Sequence, residues 1–341
     1  MQDRPKLTIG ILLYFSKEYL AYFLESLKKQ KGISFEILVL DNSNGESEDI
    51  SCIKENYPNI KMFFGNNLGF SKGHNFLIKK MRGEYYACIN PDMIFEEGFF
   101  KNIIEKLDKD KNAGFATGKI LKWNFEEASS ENCGKTNIID SCGIGITRSH
   151  HFFDIGQTEI DEGQFDYKKE VFGASGAAAI YKKEALEDIA YHLNNKGKEY
   201  FDELFFMYKE DCDLSYRLRW AGWKCLFVSE AKAYHDRTVD KKGSGFLSFI
   251  ENQKSKSSKI KEWSYINHNI LLYKNFSKNF SLEIKLKTWF YNFFSKIYLF
   301  FFEGNIYKDL KNISYDSEEI ESKKIKTPRR INAQEIERWM K

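Results

Sequence analysis

The densest chemistry in this 341-residue chain lies at Tyr200–Arg217, where five acids surround an aromatic run: Asp202, Glu203, Glu210, Asp211 and Asp213. Acids at a helix start complement the macrodipole and cap orphan N–H groups, which accounts for one or two of them. The crowding of Glu210, Asp211 and Asp213 goes further. Mutual repulsion raises a carboxyl pKa, and a raised carboxyl suits a general base. Three strand-like runs also end in ligand-bearing residues: Asp41 after FEILVL, Asn90-Pro91-Asp92 after YYACI, and His235 after WKCLFVSEAKAY. In open parallel sheets, ligands bind beyond such carboxyl ends. One carboxylate with a diphosphate and waters would make a shell for a hard divalent cation. The plainer alternative is that Asp41 and Asp92 start turns and His235 is structural. Between them runs Asn67-Leu68-Gly69-Phe70-Ser71-Lys72-Gly73-His74-Asn75. A glycine-rich turn opening a helix lets backbone N–H groups approach phosphate. The run is neither a P-loop nor G-x-G-x-x-G, and a simple loop before a helix remains its alternative.

The elements that must position these residues alternate. Strands are expected at Leu7–Tyr14, Phe35–Leu40, Lys61–Phe64, Tyr85–Ile89 and Trp223–Val228. Helical spacing marks Glu18–Lys29, Gly73–Met81, Gly98–Leu107, Lys183–Tyr191, Asp211–Ala221 and Leu286–Phe302. The pattern predicts an α/β fold, with a mainly parallel central sheet, helices on both faces and a C-terminal helical region. Residues 114–170, rich in Gly, Asn and Ser, read as irregular, and 241–261 as a mobile connection.

The net charge of +3 hides an asymmetry. Residues 241–341 carry 20 Lys and Arg against 11 Asp and Glu, and residues 1–240 carry 32 against 38. The division predicts a catalytic unit over 1–240 and a basic, aromatic-rich, mostly helical region over 241–341. None of the six cysteines forms a C-x-x-C pair, so zinc, redox and disulfide frameworks are not expected. Neither a secretory signal nor a membrane-spanning run is expected. Lys285–Phe302, KLKTWFYNFFSKIYLFFF, reads either as an interfacial helix for an anionic membrane or as a helix packed on the catalytic unit or on a second subunit. The acidic body argues against nucleic acid.

Taken in order, VLDNSN, NNLGFSKGHN, INPD, VFGASGAAAIYKKEAL, FDELFFMYKEDCDLSYRLRWAGW and Ala233-Tyr234-His235 resemble bacterial glycosyltransferase family 2 and its rhamnosyltransferase-like branch. The resemblance covers about residues 7–240, with a fainter echo at Tyr265–Asn269. It implies a GT-A fold holding a nucleotide-sugar and Mg2+ or Mn2+. It implies that Asp41 meets the pyrimidine base and that Asn67, Gly69, Lys72, Asn75 and Asn90 lie along the nucleotide-sugar. It implies that Asp92 and His235 hold the metal, that Asp211 is the catalytic base with Glu210 beside it, and that Ala174 and Ser175 meet the acceptor. Two positions depart from the family: Leu13-Tyr14-Phe15 stands for a common Thr-Tyr-Asn, and Ser229 for a proline.

The function so implied is inverting transfer of a sugar to a saccharide acceptor in bacterial surface polysaccharide synthesis. The donor would be dTDP-rhamnose or a UDP-sugar, and the acceptor may be free or lipid-linked. The expected location is cytoplasmic, with peripheral contact between 282–302 and the inner membrane as one option and homo-oligomerisation as another. A non-catalytic nucleotide-sugar-binding protein and a metal-dependent nucleotidyltransferase use similar groups and are the competing readings.

Overall fold

Short apolar runs form the centre of the sheet, as their composition dictates. A computed structural model describes residues 4–47, 51, 53–54, 60–193, 197–237, 257–313 and 317–341. The first half contains β1 (Leu7–Leu13), α1 (Lys17–Lys28), β2 (Phe35–Asp41), β3 (Lys61–Phe64), α2 (Gly69–Ile78), β4 (Tyr85–Ile89), β5 (Met93–Phe95) and α3 (Phe99–Lys109). Then come β6 (Ala113–Trp123), β7 (Lys135–Ser141), β8 (Ile144–Ile146), β9 (Phe152–Asp154), β10 (Glu170–Val171), β11 (Ala178–Lys182), α4 (Lys183–Ile189), β12 (Tyr191–Leu193), β13 (Gly197–Glu199), α5 (Glu210–Trp220) and β14 (Lys224–His235).

The main sheet runs β10-β14-β6-β11-β4-β1-β2-β3. Strands β4, β1, β2 and β3 are mutually parallel, as are β6 and β14. β11 joins the two groups antiparallel to both β4 and β6. Leu20, Phe23, Leu24 and Leu27 of α1 and Phe99, Ile103 and Leu107 of α3 pack under one face. The expectation of an α/β sheet with helices on both faces is met.

Two expectations fail locally. The stretch read as irregular begins with β6, an eleven-residue strand that is almost wholly buried. Its glycines permit close packing rather than turns: a Cβ on Gly118 would lie 2.3 Å from the Ala231 carbonyl oxygen. β14 runs on to His235 through a register shift against β6, beyond the apolar run that marks only its start. Of the connection expected at 241–261, residues 241–256 lie outside the described residues, and Ser258–Lys261 already belong to a helix.

Among the described residues five helices follow: α6 (Ser258–Asn275), α7 (Leu282–Phe302), α8 (Gly304–Asn312), α9 (Glu318–Lys326) and α10 (Ala333–Glu337). They close over the outer face of α5. Phe205, Tyr216 and Trp220 share one apolar cluster with Ile270, Leu271, Ile284 and Ile336. A core thus crosses from the first 240 residues into the last hundred. The sequence marks only Leu214 and Leu218 as the inward face of α5. In fact every residue of α5 except Asp211 is buried, because the later helices cover its second face.

That covering brings charge with it. Lys274 of α6 pairs with Asp202 and lies 2.9 Å from Asp213, all three with fully buried side chains. Lys323 of α9 contacts Asp202 and Glu199, each at 2.6 Å. Arg217 closes the set on Asp213 at 2.9 Å. Burial works against each charge, but the two lysines hold the Asp202 carboxyl well below its usual range. Removing one partner from such a set strands a buried charge and typically costs about 3–5 kcal/mol. Lys274→Met is expected to lower unfolding stability by about that much, seen as a fall in denaturant midpoint at constant slope. An unchanged midpoint would show that the buried charges do not hold these helices in place.

Candidate active site

The acid run resolves into two groups with different tasks. Asp202 and Asp213 belong to the buried ion cluster. Glu203 accepts from the Asn75 amide at 3.1 Å. Only Glu210 and Asp211 reach the cleft at the carboxyl edge of the sheet, a cavity of about 650 Å³. That size suits a small-molecule site. Asn90, Asp92, Ser175 and His235 line the same cleft.

A strained turn aims the acid pair. Tyr208 and Lys209, just before α5, have φ of +69° and +70°. For residues with a Cβ the left-handed conformation costs roughly 1–2 kcal/mol each, so something must hold it. The Asn267 amide of α6 donates to the Met207 and Tyr208 carbonyls at 2.9 and 2.8 Å. No side chain caps the helix; Asp211 and Asp213, read as candidate caps, serve elsewhere.

Asp211 accepts from the Cys212 N–H at 2.7 Å and from the Gly176 N–H at 3.1 Å. These bonds fix the carboxylate beside the Ser175–Ala177 segment. Glu210 is buried, and its Oε2 has no hydrogen-bond partner. Burial first, and the Asp211 charge second, push the Glu210 carboxyl well above its usual pKa. The crowding seen in the sequence therefore acts on Glu210.

Asp92 and His235 form the second half of the cleft. His235 Nε2 lies 3.4 Å from Asp92 Oδ1, and Nδ1 lies 2.9 Å from Asp140 Oδ2. Burial disfavours the imidazolium, but the flanking Asp92 and Asp140 prevail and raise its pKa to about 10. Asp140 is in turn held by Arg237, whose Nε lies 2.8 Å from Asp140 Oδ1. A carboxylate behind a histidine fixes its tautomer and orientation, the usual support for a metal-binding imidazole. Asp92 Oδ1 is buried with no hydrogen-bond partner. Among the described residues no three His, Cys, Asp or Glu side chains gather as a complete metal cage. Two protein ligands suit a cation that takes its remaining ligands from phosphate oxygens and water.

Of the residues expected along the nucleotide-sugar, Asn90 lines the cleft, whereas Asp41, Asn67, Gly69, Lys72 and Asn75 are not among its lining residues. Asp41 is fully buried and accepts from Ser43 N, Ser43 Oγ and Gly45 N at 2.9, 2.6 and 2.7 Å. Its carboxylate serves the turn after β2. Asn75 binds Phe201 O and Glu203 through Nδ2 and the Tyr200 and Phe201 N–H groups through Oδ1. It clips the acid-run loop to α2. That helix begins at Gly69, four residues earlier than its spacing predicts, because Asn67 Oδ1 accepts from Gly69 N at 3.0 Å. Gly69 itself has φ +73°, and a Cβ there would lie 2.5 Å from the Phe206 carbonyl oxygen. Lys72 is exposed on the first turn, and Ala174 is buried with its N–H 3.4 Å from Ser215 Oγ.

Sequence reasoning missed Asp140, Arg237, Asn267 and His268. Arg237 shares a face of the chain with His235 by alternation, a usable signal. The Tyr265–Asn269 echo contained Asn267 and His268 without a role. His268 lines the cleft with its Nε2 unpartnered. The five described cysteines are free.

Comparison with known proteins bears on the fold and the family. The N-acetylglucosaminyl-diphospho-decaprenol L-rhamnosyltransferase of Mycobacterium tuberculosis is 22% identical over 244 residues, 68% of this chain and 76% of that one. The minor teichoic acid biosynthesis protein GgaB of Bacillus subtilis is 35% identical over 107 residues, covering 29% of this chain and 12% of that one. The crystal structure of GalNAc-T7 with UDP, GalNAc and Mn2+ superposes with a TM-score of 0.52 at 12% identity, over 80% of this chain. The match spans 52% of that protein, about half its length, and the likeness is one of GT-A fold. The family model for glycosyl transferase family 2 matches residues 8–190, more than half of the sequence, and the chain belongs to that family.

Proposed function

We propose that this glycosyltransferase moves a sugar, with inversion, from a nucleoside-diphosphate donor to a saccharide hydroxyl. The observation that carries the reading is the meeting of Asp211 with the Asp92–His235 pair in one cleft. The acceptor hydroxyl attacks the anomeric carbon, and Asp211 takes its proton as the diphosphate leaves. Two N–H donors hold the Asp211 carboxylate in place while leaving lone pairs free for that proton. Burial and the Asp211 charge push the Glu210 carboxyl upward and favour its neutral form, which donates a hydrogen bond instead of adding a second negative charge. A divalent cation, Mg2+ or Mn2+, held by Asp92 and His235 would supply positive charge against the departing diphosphate. Lys72, exposed on the first turn of α2, suits a diphosphate, whereas the Gly69 and Phe70 N–H groups there are bound by Asn67 and by the Phe206 carbonyl.

The donor we favour is dTDP-rhamnose, with a UDP-sugar as the alternative, and the product a bacterial surface polysaccharide. Support for rhamnose and for a lipid-linked acceptor comes from the name of the mycobacterial relative. The test is a product assay over a panel of nucleotide-sugars. Nucleoside diphosphate with a glycosylated acceptor is expected. A pyrophosphate product would point to nucleotidyl transfer, and binding without turnover to a non-catalytic role.

Three outcomes follow from the geometry. Asp211→Asn should fold and lose about 10²–10⁴-fold in turnover; near-normal transfer would remove Asp211 as base. Asn267→Ala, which releases the strained turn, should lower kcat about tenfold or more with little change in donor affinity. Chelation should abolish transfer and Mn2+ restore it. Binding of that cation should release about one proton from His235 at pH 7–8, read by calorimetry in buffers of different ionisation enthalpy. Cation binding without proton release would place the ion away from His235.

A further inference from the structure

The face of α7 turned away from the cleft has no partner in the described chain. At 3.6 residues per turn, Leu286, Trp289, Phe290, Phe293, Phe294, Ile297, Phe300 and Phe301 fall on one stripe. Trp289, Phe290, Phe293, Phe294, Phe300 and Phe301 are 45–71% exposed. A continuous row of aromatics left in water is rare on a soluble surface and marks an interaction face. The opposite face of the same helix buries Ile284 and Thr288 and gives Tyr291, Ser295 and Leu299 to the cleft.

We infer that α7 lies in the plane of an anionic lipid surface, with its aromatic stripe in the headgroup region. Charge selects this occupant over a second copy of the chain. By helical geometry Lys285 and Lys296 flank the stripe on one side, where long side chains can reach lipid phosphates, while Lys287 on the other side is paired with Glu283 at 2.7 Å. The sole acid on α7, Glu283, is already engaged by Arg148 and Lys287 at 2.6 and 2.7 Å. Glu303, just past the helix, is engaged by Lys261 at 2.6 Å. A second α7 laid on the first would set lysine against lysine with no free acid on either helix to answer it. The helix, about 30 Å long, lies on the surface rather than through it: no described helix is long and apolar enough to cross a membrane. The other face of α7 lines the cleft, so the docked helix would set the cleft about one helix diameter, ~10 Å, from the lipid surface.

The test is co-sedimentation of the full chain with phosphatidylglycerol–phosphatidylcholine vesicles and with phosphatidylcholine vesicles, with light scattering for oligomeric state. No donor or turnover is involved, so its outcome is independent of the transfer reading. Salt-sensitive pelleting with the anionic vesicles is expected, at least about fivefold above the neutral ones. Phe290→Glu/Phe294→Glu changes exposed positions only and should keep the wild-type unfolding transition while losing at least about tenfold in vesicle partitioning. Lys285→Gln/Lys287→Gln/Lys296→Gln should remove the preference for anionic lipid. Failure of the wild type to pellet would overturn the inference, as would equal pelleting of the aromatic variant. A solution dimer that the aromatic variant dissolves, with no vesicle binding, would assign the face to a second copy.

Discussion

Everything near the cleft depends on a buried set of charges: Asp202 and Asp213 from the sheet domain against Lys274 and Lys323 from the C-terminal helices. Buried charges tolerate little displacement, because each loses its only compensation if its partner moves. The set therefore fixes where α6 and α9 sit. With α6 fixed, Asn267 meets the two carbonyls of the left-handed turn. With that turn held, Glu210 and Asp211 point into the cleft. A geometric specification for an acid pair is thus met by residues some sixty positions away.

Much of this order was legible in the sequence, and the failures have physical causes. The strands and helices of the first 110 residues declare themselves by apolar runs and helical spacing. The strand at 113–123 did not, because its glycines serve close packing and look like turn residues in one dimension. The helix at Glu210–Trp220 was legible as a helix, but its second buried face was not. Arg217 and Arg219 are buried there by partners that distant segments supply, Ile189 and Tyr200 for the first and Glu170 and Phe172 for the second. The same ambiguity applied to the five acids. Composition shows their number; only the fold separates the two that neutralise lysines, the one that orients Asn75 and the two in the cleft. Asp41 and Asn75 carry the same lesson: residue type and position suit a ligand, yet Asp41 bonds within its own turn and Asn75 to the distant acid-run loop.

The charge asymmetry also changes meaning. The excess of cations in residues 241–341 is partly spent inside the protein. Lys274 and Lys323 answer buried acids, and Arg330 pairs in a fork with Asp188 at 2.6 and 2.7 Å. Lys285, Lys287 and Lys296 instead border the exposed aromatics of α7. One helical region therefore does two physical jobs: its buried cations secure the acid-bearing helix, and its outer rim offers charge to a partner.

The central claim is a single displacement in which Asp211 accepts the proton of the incoming hydroxyl. The most direct measurement is the anomeric configuration of the newly formed linkage, read by NMR from a donor of known configuration. One displacement predicts the configuration opposite to that of the donor. Retention of the donor's configuration would contradict the base role of Asp211 and the arrangement of the cleft built on it.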